Sequence, residues 1–139
     1  MDAATGTVLD SGVLDLSRRR GEDRGAMFLR FRRWLEDFFV DSKEPPSLLV
    51  YEQAHHRGGD ATEICVGLCT RIMEIAAEHD LPSVSCHSAN LKKFATGKGN
   101  AGKPMMMAAS VGILGREPVD DNEADAVHLA SWGRVNYLK

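Results

Sequence analysis

Leu48-Leu49-Val50-Tyr51-Glu52-Gln53 decides the fold. Four apolar residues in a row, entered after Pro45-Pro46 and closed by a carboxylate, read as a strand buried on both faces, the kind found in parallel sheets. Upstream, over residues 22–40, Met27, Phe28, Phe31, Trp34, Leu35, Phe38 and Phe39 recur at helical spacing with arginines between them, which predicts an amphipathic helix. Downstream, Ile64, Leu68, Ile72, Ile75 and Ala76 mark a second long helix, expected to be capped at Asp60 or Thr62. Residues 82–86 read as a short strand. Residues 7–16 alternate apolar and polar around Gly12 and predict a first strand with a bulge. A small helix over residues 89–94, a glycine-rich loop over 97–102, a helix from Lys103 to Leu114 and a last helix from a cap at Asp120 or Asp121 to about Arg134 complete the chain. Strands alternating with helices make this an α/β chain with a mostly parallel sheet covered on its faces.

The 139 residues, 43% of them hydrophobic, suit one domain spanning 1–139 with a single core. The apolar runs at 48–51 and 105–109 are too short to cross a bilayer, and no signal segment opens the sequence, so a cytoplasmic protein without membrane contact is expected. Cys65, Cys69 and Cys86 make an odd, sparse set that suits free thiols in a reducing compartment.

A net charge of −3 excludes a globally basic nucleic-acid binder, but the charges are unevenly placed. Arg18, Arg19, Arg20, Arg24, Arg30, Arg32 and Arg33 load the first third, and Lys92, Lys93, Lys98 and Lys103 form a second basic stretch. Glu117, Asp120, Asp121, Glu123 and Asp125 gather near the end. Glu52 stands where a buried strand leaves the sheet, the edge at which open α/β folds bind ligands. Asp121 and Asp125 are four apart and share one helical face. Carboxylates converging from separate elements suit Mg²⁺, a hard cation that takes oxygen donors. Spacing alone leaves two readings open, because a Glu at a strand end is commonly a solvated loop residue and an Asp at a helix start commonly a cap.

The strand Leu48-Leu49-Val50-Tyr51-Glu52-Gln53 resembles the strand of RuvC-type Holliday junction resolvases that ends in an acidic residue followed by Gln. Asp121-Asn122-Glu123-Ala124-Asp125-Ala126 resembles that family's closing helix, and Leu91-Lys92-Lys93, Gly97-Lys98-Gly99-Asn100-Ala101 and Lys103 resemble the basic loop and helix start that face DNA. The motifs keep the family's order over about residues 8–130. The resemblance implies a ribonuclease H-like mixed sheet flanked by helices, and a structure-specific endonuclease that resolves Holliday junctions or other branched DNA by two-metal hydrolysis with Mg²⁺, Mn²⁺ substituting. It makes Glu52, Asp121 and Asp125 the metal-binding catalytic carboxylates; Asp121 is preferred to Asn122 because a neutral amide is the poorer ligand. It assigns Lys92, Lys98 and Lys103 to phosphates and His55, His56 and Arg57 to contacts near the junction. It implies a homodimer, because a junction offers two symmetry-related strands. The family opens with two further strands, the first bearing an Asp, so the sheet is expected to be N-terminally truncated here, with a start upstream of Met1 or a shortened gene product. Asp2 and Asp10 do not replace that ligand, since their positions match a turn and a different strand.

Rival readings exist for several motifs. Gly97 to Lys103 fits part of a phosphate-cradling P-loop, but Pro104 stands where Ser or Thr is needed and no buried strand precedes it. Cys65, Cys69, Cys86 and His87 lack zinc-site spacing. Met105, Met106 and Met107 read as core filler on a helix. The rival from another class is a catalytically incomplete branched-DNA-binding module of the same fold.

Overall fold

The computed structural model describes residues 1–55 and 58–138, and the described residues form five helices and two strands. These are α1 (Arg24–Asp41), β1 (Leu49–Glu52), α2 (Gly59–Glu78), β2 (Ser83–Cys86), α3 (Ser88–Thr96), α4 (Lys103–Leu114) and α5 (Asp121–Tyr137). β1 and β2 pair in one sheet across the helical crossover of α2. The Leu49 N–H donates to the Pro82 carbonyl at 3.1 Å at one end, and the Glu52 charge acts on Cys86 at the other, so the two strands run parallel. Among the described residues no helix is long and apolar enough to cross a membrane.

The residues divide into two compact units. One comprises residues 14–49 and 53–83 and is built on α1 against α2. Asp23 caps α1 by accepting the Ala26 N–H, and Ser42 ends it by donating its N–H to the Phe38 carbonyl. Met27 and Leu35 of α1 and Ile75 and Ala76 of α2 are buried. The arginines are not simply a solvated face. Arg24 pairs with Asp60 and Glu63, and Arg32 pairs with Glu36, Glu74 and Glu78, which ties α1 to α2 by charge as well as by packing. Gly58 caps α2 at φ 76°, where neither Asp60 nor Thr62 was needed; Asp60 lies instead in the first turn, favourable to the helix dipole and bonded to Arg24.

At Gly67 of α2 the Phe28 side chain of α1 packs directly against the helix. A Cβ built there overlaps the Phe28 ring, over which the Arg71 guanidinium also lies, 5.8 Å from the centroid. An aromatic ring wedged against a helix cannot step aside cheaply, so Gly67→Ala should cost about 1–3 kcal/mol in chemical denaturation. Phe28→Leu in the same chain should restore part of that loss.

The other unit comprises residues 1–13, 50–52 and 84–139. Its core is Cys86, Leu91, Ala101 and Met106, with Ala95, Leu129 and Trp132 packed against them. Helix punctuation is local and clear: His87 Nδ1 accepts the Ala89 N–H at the start of α3, Gly97 ends α3 at φ 82°, and Gly115 ends α4 at φ 74°. The loop after Gly97 follows a helix and not a strand, which removes the P-loop reading.

The strand expected over residues 7–16 is not formed. A strand exists only by pairing, and among the described residues the sheet contains β1 and β2 alone. Leu9 and Val13 are exposed. What fastens the N-terminal segment is side chains from α5 and the loop before it. Arg134 donates to the carbonyls of Ala3 and Ala4 at 2.9 and 2.8 Å, and Ser11 Oγ donates to Glu123 at 2.9 Å. Asp2 sits in a turn, as expected, accepting the N–H groups of Ala4 and Thr5 and the Thr5 hydroxyl, and these bonds hold its carboxyl below the usual range.

Candidate carboxylate site

The second unit carries all three candidate carboxylates. Glu52 is the last residue of β1, placed there because the apolar run ends at it. Asp121 opens α5 and Asp125 follows one turn later, a register set by Asp120, whose side chain accepts the Glu123 N–H as the cap. The Asp125 carboxyl is pushed up, first by burial and then by the charges of Glu52 and Asp121, while His128 and Lys92 act in the opposite direction. Three acidic groups from a strand end and a helix start therefore share one field.

Lysines border this field. Lys103, the first residue of α4, brings Nζ to 3.3 Å from Asp121 Oδ2 with most of its side chain in solvent. Lys92 of α3 is half-buried and acts on Asp125. Lys98 is exposed in the turn between α3 and α4. His55 lies in the other unit, exposed, its carbonyl accepting the Thr62 hydroxyl at 3.1 Å. His56 and Arg57 lie outside the described residues.

An oxygen-only donor set fits a hard divalent cation such as Mg²⁺, and so does the repulsion that raises Asp125, because a cation would relieve it. Among the described residues no three His, Cys, Asp or Glu side chains converge closely enough to hold a metal ion. The set fits in chemistry and charge without forming a closed cage. Cys65, Cys69 and Cys86 form no disulfide among the described residues, and burial together with the Glu52 charge pushes the Cys86 thiol up.

Two neighbouring residues escaped the sequence reading. Glu123, counted only among the acidic residues, is fully buried and accepts two bonds from the Arg116 guanidinium at 2.9 Å each, one from the Val119 N–H at 2.8 Å and one from Ser11. Those donors pull its carboxyl down from 4.5 to about 2, Arg116 first. The pattern Asp120-x-x-Glu123 is a helix-start signature and was the available signal. His128 is buried, its Nε2 bonded to the Met106 carbonyl at 2.9 Å and its Nδ1 without a hydrogen-bond partner among the described residues. Its position three after Asp125 places it on the same helical face.

No protein-family model and no curated protein matches the chain. Solved structures do. A Thermus thermophilus RuvC structure aligns with a TM-score of 0.67 at 22% identity, covering 88% of this chain and 76% of that one. T. thermophilus RuvC in complex with a Holliday junction substrate aligns with a TM-score of 0.70 at 21% identity, covering 89% and 78%. At that identity what is shared is the backbone arrangement: this chain has a RuvC-like α/β fold.

Proposed function

We propose that the chain is a ribonuclease H-like nuclease domain that cuts branched DNA, four-way junctions first among them, with a divalent metal. The observation that carries this reading is the shared field of Glu52, Asp121 and Asp125 on a RuvC-like fold. Glu52, Asp121 and Asp125 would hold Mg²⁺, with Mn²⁺ able to substitute. Divalent ions bound at such a set supply an activated water and stabilise the leaving oxygen of a phosphodiester. The chain's own contribution is positional. β1 and α5 present the three carboxylates, and Lys92, Lys98 and Lys103 offer ammonium groups to the phosphate backbone, as His55, His56 and Arg57 would nearer the branch point. A junction has two equivalent strands to cut, so the working unit is a homodimer. The odd, sparse set of cysteines fits action in the cytoplasm.

Cleavage of a synthetic four-way junction with Mg²⁺, compared with Glu52→Gln, tests the proposal. The wild type should nick the junction, and Glu52→Gln should bind it and leave it intact. A wild type that binds without nicking under any divalent ion sinks the enzyme reading. It favours the second one, a branched-DNA-binding module with an incomplete site.

A further inference from the structure

Asp121 already has a cation beside it. Lys103 Nζ stands 3.3 Å from its Oδ2, and the placement is built into the helix pair. Gly102 caps α4, Pro104 fixes the backbone of its first turn, and the buried His128 of α5 grips the Met106 carbonyl one turn further on. The backbone of Lys103 is therefore anchored beside the start of α5, while its side chain remains 78% exposed.

We propose that Lys103 is a resident counter-ion for Asp121 that a divalent cation displaces, so that ion binding and release of Lys103 toward phosphate are one coupled event. The inference rests on reading Glu52, Asp121 and Asp125 as the metal-binding set. It follows from charge. A doubly charged ion at Asp121 repels the ammonium group that shares the same oxygen, and the ammonium competes with the ion for it. An exposed ion pair is weak, which suits a partner that must leave. By linkage, any phosphate that draws Lys103 away strengthens ion binding by the same factor. Asp121 and Lys103 then couple the two halves of the substrate complex through a single contact.

The test is Mn²⁺ binding to the full chain without DNA, read from the electron paramagnetic resonance signal of the free ion. Lys103→Met should bind Mn²⁺ about two- to fivefold more tightly than the wild type. Lys103→Arg, which keeps the charge, should resemble the wild type. In an Asp121→Asn background Lys103→Met should make no difference, since the competition needs that carboxylate. Equal or weaker binding by Lys103→Met, or an unchanged gain in the Asp121→Asn background, overturns the counter-ion role and leaves the metal-site reading standing. No binding by any variant overturns both.

Discussion

Asp125→Asn is expected to melt higher than the wild type at pH 7, by about 2–4 °C, while cutting four-way junctions at least about 1,000-fold more slowly. Both effects have one cause. In the folded chain the Asp125 carboxyl is raised above its ordinary 3.8 by burial and by Glu52 and Asp121. A carboxyl raised on folding favours the native state at pH values below 3.8, and that contribution is lost as pH rises through the folded value. Above the folded value the wild type carries an unfavourable charge that Asn removes, and with it goes a proposed metal ligand. The melting difference should shrink to nothing as the pH is lowered below about 3.8, and added Mg²⁺ should raise the melting temperature of the wild type more than that of the variant. A variant that melts lower at every pH would refute this account of Asp125.

Glu123→Ala should be the most destabilising single change in the same unit, lowering the melting temperature on the order of 10 °C at pH 7. The substitution leaves the Arg116 guanidinium, the Val119 N–H and Ser11 without their shared acceptor. Here the sign is opposite to that of Asp125. A carboxyl lowered from 4.5 to about 2 stabilises the fold fully above pH 4.5 and loses that contribution as pH falls toward 2. The wild type should therefore lose stability across that interval, and Glu123→Gln, which cannot ionise, should show a flatter acid limb in denaturation monitored by circular dichroism. Parallel acid limbs for the two proteins would rule out Glu123 as their source.

The helices and paired strands were legible where the chain punctuates itself. α4 begins and ends at the predicted residues because Gly102, Pro104 and Gly115 leave little choice, and β1 follows from an apolar run stopped by Glu52. Residues 7–16 were misread because alternation specifies which side of a strand is apolar and says nothing about whether a neighbouring strand is there to pair with it. The cap of α2 was misread because side-chain capping preferences cannot show that two glycines at positive φ will make the turn instead. Glu52, Asp121 and Asp125 are proposed as a set from motif order. Glu123 was signalled only as part of a helix start at Asp120-x-x-Glu123, and nothing in the sequence marks His128 as fully buried. The ion pairs of Arg24 and Arg32 were not legible either, since acidic partners lie on a helix more than thirty residues away.

α5 has almost no expendable side. Asp121 and Asp125 face the acidic field, Ala124 and Val127 are buried, His128 grips α4, and Glu123 and Arg134 hold the N-terminal segment. A helix with work on every turn leaves little latitude for sequence drift, and a neutral change at one position is constrained by obligations at the next. α1, with Leu29, Trp34 and Phe38 close to half exposed, has more freedom to vary. Divergence in this protein should therefore be absorbed by α1 well before α5 yields.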